Sequence, residues 1–418
     1  MQKLFINGGK KLYGKIKIDK SKNAILPLLA GAIMVEGEVV FEDVPPLSDV
    51  VNMCKILQSL GGSVVWQENN LVVDMTNLSA HDILSPLASK LRSSIFALGP
   101  LLSRAKIAKI AYPGGCEIGL RPIDIHLSAM RTLGAKIVEK NGYIYANGSA
   151  MEGADIVLDF PSVGATENAM MGAVLTRGIT RIFNSAKEPE IVDLQNFLNK
   201  CGAKISGAGT NQITVEGVSK LHGCLYSTIP DRISGGSFLL TVAMCGGDVE
   251  IENFLPYHNQ ALLSKIKQTA CFYDIKNDKI KIRSDGKLTT FGEVETAVYP
   301  GFPTDLQPQI MALASVCEGY TLIEENLFES RFLHVSELKK MGADIRCKNN
   351  VCIVHGKDKL FGAEVSSADL RGGMALVMAG LRGEGYTTVS GVEYIDRGYY
   401  QIEKILSQVG ADIKRIEE

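Results

Sequence analysis

The sequence has no long run of like charge, no apolar stretch long enough to span a bilayer, no CxxC pair and no histidine cluster. Each absence removes a class of function. The 44 Lys and Arg residues are balanced by 46 Asp and Glu, for a net charge of −2 and a pI of about 6.4, so no basic surface is offered to nucleic acid. The longest apolar run, Ala24 to Val35, falls short of the roughly 20 residues of a membrane helix. The opening MQKLFINGGKKLYGK lacks the apolar centre of a signal peptide. A cytoplasmic protein is expected. An odd count of nine cysteines without CxxC spacing points to reduced thiols in a reducing compartment. Six scattered histidines give no metal-ligand spacing. In that setting the Asn147-Gly148-Ser149 sequon carries little meaning.

What is present is periodic. A chain of 418 residues exceeds what one core usually fills, so two domains of roughly 200 residues are expected. A helix end followed by a strand recurs as LGGSVV from Leu60, LGAKIV from Leu133, CGAKIS from Cys201, a degenerate TACFYDI from Thr269, MGADIR from Met341 and VGADIK from Val409. The central residues Gly61, Gly134, Gly202, Ala270, Gly342 and Gly410 are 73, 68, 68, 72 and 68 residues apart. Six units of about 70 residues follow. An amphipathic helix precedes each, as in Ile191, Leu194, Phe197, Leu198 and Cys201, glycine supplies its left-handed end, and β-rich stretches such as Lys136 to Tyr145 and Asp344 to His355 come after. The unit is mixed helix and strand.

A second set of helices is apolar nearly all round, so each must be buried: Ala24 to Val35, Ile95 to Leu102, Ala169 to Leu175, Phe238 to Cys245, Ile310 to Cys317 and Met374 to Leu381. Four of the six carry a cation at or near the N-terminus, namely Lys22, Arg92, Arg232 and Arg371. A cation there opposes the helix dipole by roughly 0.3 to 1 kcal/mol. Pairing with Asp231 or Asp369 is the plain explanation for one or two of them; for the set, an anionic ligand held by helix ends and cations together is the better one. Arg121, Arg331 and Arg397 recur 13, 11 and 13 residues before the repeat glycine, which suggests a shared role.

The stretch Tyr112 to Asp124, YPGGCEIGLRPID, reads as a reactive lid, with paired glycines that free the backbone, a thiol at Cys116 and a cation at Arg121 fixed by Pro122. Alone, it reads equally well as an ordinary turn with an incidental cysteine. Three units on either side of a boundary near Tyr226 to Arg232 predict two similar lobes with a ligand cleft between them.

The residues Lys22-Asn23, PGGCEIGLRPID from Pro113, SVGATEN from Ser162, KEPEIVD from Lys187, PDRI from Pro230, FPTDLQPQ from Phe302, DLR from Asp369 and IDRGY from Ile395 resemble those of the UDP-N-acetylglucosamine 1-carboxyvinyltransferases over essentially the whole chain. The resemblance implies an α/β fold of two lobes, residues 22–229 and residues 1–21 with 230–418, each built from three βαβαββ repeats around buried helices in an inside-out barrel. It implies transfer of the enolpyruvyl group of phosphoenolpyruvate to the 3-hydroxyl of UDP-N-acetylglucosamine by addition and elimination, as the first committed step of peptidoglycan synthesis. No metal or organic cofactor, nucleic acid or membrane takes part, and a monomer is expected.

By the same resemblance Cys116 is the proton donor and can form an adduct with phosphoenolpyruvate. Glu117 beside it would raise the thiol's pKa and Arg121 would lower it. Asp305 matches the carboxylate that takes the hydroxyl proton; its plain reading is a helix cap. Lys22, Arg121 and Arg397 match residues on phosphoenolpyruvate and its phosphate, and Arg331 and Arg371 match those near its carboxylate, where planar guanidinium forks suit the ligand. Asn23, Arg92, Pro122, Ile123, Asp124, Ile125, Ser162, Val163, Gly164 and Leu327 match the nucleotide-sugar site, although packing alone would account for Val163 and Leu327.

Three departures stand out. Lys20-Ser21 replaces an expected Gly-Ala pair, Phe160 stands where some relatives carry lysine, and Gly372-Gly373 follows Arg371 and would loosen that helix start. The competing readings are enolpyruvylshikimate-phosphate synthase, which the PGGC stretch argues against, a binding-only paralogue, and an RNA-end-processing relative that charge and motifs do not support.

Overall fold

The computed structural model describes residues 2–114, 119 and 122–417. The chain is mixed α/β, and its contacts divide it into a first unit of residues 20–114 with 122–229 and a second of residues 2–19 with 230–417. Each unit has its own apolar core.

In the first unit three sheets share one strand pattern. Their orders are Leu225–Tyr226, Glu38–Phe41, Asn70–Asp74, Ser63–Gln67; Asp82–Ile83, Ile107–Ala111, Tyr143–Asn147, Lys136–Lys140; and Asp155–Val157, Ile179–Phe183, Gln212–Glu216, Lys204–Ser206. The first pair is parallel and the other two antiparallel in every case. Alternation of side chains sends one face inward: Val39 and Phe41, or Ile213 and Val215, are fully buried while their neighbours are half-buried or exposed. The last two strands of the first two sheets join through two-residue turns whose first member, Glu68 or Asn141, is left-handed, as tight hairpins require.

Three sheets of the second unit repeat the pattern. One is completed by the N-terminal strand Gln2–Asn7, which lies antiparallel between Tyr386–Ser390 and the C-terminal strand Asp412–Glu417. Another is completed by Leu12–Lys17, parallel to Gly247–Glu252 with Ile16 opposite Ile251. The third has the order Glu293–Glu295, Tyr320–Glu324, Val351–His355, Asp344–Lys348.

The apolar helices are buried, as their composition demands. In the first unit they are Lys22–Ala32, the 3-10 turn Arg92–Ala97 running into Leu98–Arg104, and Val163–Val174. In the second they are Arg232–Cys245, Gln307–Ala314 and Leu370–Arg382. The amphipathic helices bury only one face. In Pro189–Lys200 that face carries Phe197, fully buried between the rings of Phe41 and Tyr226 at 5.3 and 5.4 Å, worth about 2 to 3 kcal/mol for the side chain. The glycines that end these helices are left-handed at Gly61, Gly134, Gly202, Gly342 and Gly410, with φ between +94° and +103°. At Gly61 a Cβ would also lie 2.3 Å from Ser79 Oγ.

One expectation is overturned. Cys347 and Cys352 form a disulfide, with Cα atoms 4.0 Å apart, so the thiols are not all reduced. The two residues face each other across the hairpin of Asp344–Lys348 and Val351–His355. Strand register, not CxxC spacing, brings them together.

Candidate active site

In the second unit the site centres on Asp305, in the short 3-10 turn Thr304–Leu306 that leads into the buried helix Gln307–Ala314. Pro303 occupies the cap position. The Asp305 carboxylate lies between two guanidinium groups, Arg331 Nη2 at 2.6 Å from Oδ1 and Arg371 Nη2 at 2.9 Å from Oδ2. Both arginines are almost wholly buried, at 2% and 3% exposure, whereas the Asp305 side chain keeps 27%. The carboxylate is thus the part of the cluster that solvent or a ligand reaches.

Each arginine is fixed from behind. Arg331 donates from Nε to the Thr304 carbonyl at 3.2 Å and approaches Asp369 at 3.8 Å. Arg371 donates to the Tyr399 hydroxyl at 3.3 Å, and that hydroxyl is 2.7 Å from Ser237 Oγ and 3.2 Å from Gln309 Nε2. Burial works against the charge of Arg371, but Asp305 and Tyr399 outweigh it and its pKa is raised. Asp369 caps the helix Leu370–Arg382 by accepting from Arg371 N and Gly372 N at 2.9 and 3.1 Å. That bond holds the start which Gly372-Gly373 was expected to loosen. The buried His334 beside Arg331 and Asp369 is pushed down to about 4 by its burial and is neutral near pH 7.

Leu327 and Phe328 are held by Glu325, whose Oε1 accepts from their amides at 2.9 and 3.2 Å while Oε2 accepts from Thr304 Oγ1 at 2.9 Å. Glu325 therefore ties the Leu327 loop to the Asp305 turn. Arg397 follows the helix Val392–Ile395, two residues before Tyr399.

In the first unit, Lys22 opens the helix Lys22–Ala32 and pairs with Asp49 at 2.8 Å, both side chains being nearly buried. Ser21 caps that helix, accepting from Ala24 N at 3.3 Å, and Lys20 donates to Ser227 Oγ at 2.9 Å. The departure from Gly-Ala is thus absorbed locally. Asn23 is half-buried beside Lys22, and Phe160 is exposed.

Arg92, Asp124 and Val163 each open a helical segment, and the three segments pack together through Asn168. Asn168 accepts from Gly99 N at 2.8 Å, donates to the Ile95 carbonyl at 2.8 Å and bonds His126 Nδ1 at 2.9 Å. Ser162 caps Val163–Val174 by accepting from Ala165 N at 3.4 Å. Gly164 has no room for a side chain, since a Cβ would stand 2.8 Å from the Phe96 ring and 3.0 Å from His126. Pro122 is exposed, Ile123 buried and Ile125 half-buried.

Close by in sequence, Glu167 is fully buried, and burial with Glu190 and Glu188 raises its pKa well above the usual carboxylate range. Cys116 and Arg121 lie outside the described residues.

Sequence reasoning missed Ser237 and His126, and gave no role to Tyr399 and Gln309 behind Arg371 or to Asn168 behind Gly164, although these three lie in the motifs IDRGY, FPTDLQPQ and SVGATEN. All but His126 are uncharged residues on apolar helices or beside a charged neighbour. Glu325 carried a possible signal, a carboxylate two and three residues before the amides it holds. Among the described residues no group of three or more His, Cys, Asp or Glu is placed to hold a metal ion, and no helix is long and apolar enough to cross a membrane.

The family model described as EPSP synthase (3-phosphoshikimate 1-carboxyvinyltransferase) matches residues 6–406. UDP-N-acetylglucosamine 1-carboxyvinyltransferase 2 of Caldanaerobacter subterraneus is 49% identical over 416 residues, covering 100% of both chains. In Carboxydothermus hydrogenoformans, the enzymes named 2 and 1 are 44% and 43% identical, covering 100% of this chain and 100% and 99% of theirs. Among solved structures, the enolpyruvyl transferase NikO of Streptomyces tendae superposes with a TM-score of 0.88 at 21% identity, over 99% of this chain and 98% of that one. EPSP synthase of Acinetobacter baumannii gives 0.75 at 19% identity, over 100% of both. The last two likenesses show the fold, that of the enolpyruvyl transferases, and the sequence relatives show more: the chain is a transferase and belongs to the UDP-N-acetylglucosamine 1-carboxyvinyltransferase family.

Proposed function

We propose that the chain transfers the enolpyruvyl group of phosphoenolpyruvate to the 3-hydroxyl of UDP-N-acetylglucosamine and releases phosphate, the first committed step of peptidoglycan synthesis, acting as a cytoplasmic monomer. In this reading the lobes are residues 22–229 and residues 1–21 with 230–418. Each is three βαβαββ repeats around buried helices in an inside-out barrel, and residues of both serve one reaction. The observation that carries the reading is Asp305 held between two buried arginines, a carboxylate with two anion-binding forks beside it.

Asp305 takes the proton of the sugar hydroxyl, whose oxygen bonds to C2 of phosphoenolpyruvate while the Cys116 thiol protonates C3 to a methyl group. The tetrahedral adduct then loses a methyl proton and expels phosphate, which restores the double bond. Arg331 and Arg371 receive the phosphoenolpyruvate carboxylate, and in turning to it they free the oxygens of Asp305 for base work. Lys22, Arg121 and Arg397 hold the phosphate. Asn23, Arg92, Pro122 to Ile125, Ser162, Val163, Gly164 and Leu327 receive the nucleotide sugar. The packing around Asn168 of the three segments that Arg92, Asp124 and Val163 open supports that grouping.

The test is phosphate release from phosphoenolpyruvate with UDP-N-acetylglucosamine or with shikimate 3-phosphate as acceptor. Release only with the nucleotide sugar is expected. Release only with shikimate 3-phosphate, or with neither, overturns the reading.

A further inference from the structure

The cysteines of the first unit contain a second pair, independent of the transfer reaction. We propose that Cys224 and Cys201 are a peroxide-oxidisable thiol pair, in which Cys224 is oxidised first and Cys201 closes a disulfide with it. Their sulfurs are 3.4 Å apart. Cys201 ends the helix Pro189–Lys200, and Cys224 lies between the strands Leu221–His222 and Leu225–Tyr226. Backbone bonds hold both in place, His222 N donating to the Cys201 carbonyl and Val40 N to the Cys224 carbonyl, each at 2.9 Å.

The two thiols differ in the way such chemistry needs. Cys201 is fully buried and Cys224 is partly exposed. The two thiols share a hydrogen bond in which either sulfur can donate, and with Cys224 as acceptor that bond, helped by the positive character of Lys200 and His222, lowers the Cys224 thiol against the opposing pull of burial while Cys201 is raised. The thiols of Cys54, Cys245 and Cys317 are instead pushed up to about 12, chiefly by burial. The thiolate is the nucleophile, so Cys224 is the member that attacks. A metal is the other use of paired thiols, but among the described residues no third ligand is placed to complete a site.

The chemistry balances with hydrogen peroxide as oxidant. The Cys224 thiolate attacks one peroxide oxygen, the S–O bond forms as O–O breaks, and the departing hydroxide takes up a proton as water. Cys201 then attacks the Cys224 sulfur; S–S forms, S–O breaks, and the second hydroxide leaves as water with the Cys201 proton. Two thiols supply the two electrons that reduce one peroxide to two waters. The sulfurs must close by about 1.4 Å to reach a bond of about 2.05 Å. The bond would staple the end of the helix Pro189–Lys200 to the strand whose Tyr226 hydroxyl already donates to Asp193 of that helix at 2.7 Å.

The test treats the full-length protein with one equivalent of hydrogen peroxide, blocks free thiols by alkylation, and maps disulfides by mass spectrometry without reduction. The expected result is a dithiothreitol-sensitive peptide joining Cys201 to Cys224. In Cys201→Ser, dimedone should trap a sulfenic acid at Cys224, and in Cys224→Ser, Cys201 should stay unoxidised at the same dose. Cys201→Ala replaces the serine variant if circular dichroism shows that serine disturbs the fold. Absence of the linked peptide from the wild-type protein while other cysteines are oxidised overturns the proposal, as does oxidation of Cys201 in the absence of Cys224.

Discussion

At the scale of single residues, Asp305 has two jobs that pull against each other. It neutralises Arg331 and Arg371, and it is the base in the proposed reaction. Asp305→Asn should therefore lower kcat by roughly 10²- to 10⁴-fold, the usual worth of a general base, and should also destabilise the protein. The stability loss should stay below the roughly 3–5 kcal/mol of breaking a fully buried pair, because the Asp305 side chain is part exposed. Urea unfolding followed by circular dichroism separates the two effects, and an active Asp305→Asn variant would remove the base. Cys116→Ala should abolish turnover with little change in unfolding midpoint, if its thiol serves the proposed protonation of C3. Arg397→Ala should raise KM for phosphoenolpyruvate more than for the nucleotide sugar, and an unchanged phosphoenolpyruvate dependence would refute its role. Sequence could single out Arg331 and Arg371 because each sits at a recurring station, and Asp305 through the family resemblance. It could not pair them, because contact between positions 305, 331 and 371 is made by the packing of separate elements.

Helix starts are where elements meet function. Ser21→Ala should cost about 1 kcal/mol through loss of a cap, read as a lowered denaturation midpoint, and Ser21→Gly only a few tenths. Gly164→Ala places a methyl group within 2.8 Å of Phe96 and should push the Val163–Val174 start away from His126. The expected outcome is a raised KM for the nucleotide sugar, an unchanged KM for phosphoenolpyruvate and a stability loss of about 1–3 kcal/mol. The helices themselves were legible in the sequence because all-round apolarity, amphipathic spacing and terminal glycine are local signals. Glycine at 61, 134, 202, 342 and 410 marked real left-handed ends. The Asn168 bonds to Gly99, Ile95 and His126 were not legible, since an asparagine inside an apolar helix gives no sign of what lies across the interface. The Cys347–Cys352 disulfide escaped for a related reason: a five-residue separation means nothing until strand register is known.

For the whole molecule, two buried acids of the first unit and two histidines of the second have opposite pH-dependent effects on stability. In the first unit Glu167 is raised by burial, and Asp193 is pushed up to about 6 mainly by burial. Such groups favour the folded state below their unfolded pKa near 4, and that contribution is lost as pH rises through the folded value. In the second unit His258 and His334 are pushed down to about 4 by burial, so their contribution is full above about 6.5 and is lost as pH falls towards 4. Glu167→Gln should flatten the decline of first-unit stability from pH 4 upward and leave it nearly unchanged at pH 4; an equal shift at every pH would contradict the assignment of Glu167 as a buried neutral acid. The measurement that bears most directly on the central claim is transfer run in D₂O with product analysis by NMR. Protonation of C3 by an exchangeable acid and later loss of a methyl hydrogen predict deuterium in the vinyl group of the enolpyruvyl sugar. A product whose vinyl hydrogens all come from phosphoenolpyruvate would contradict addition and elimination.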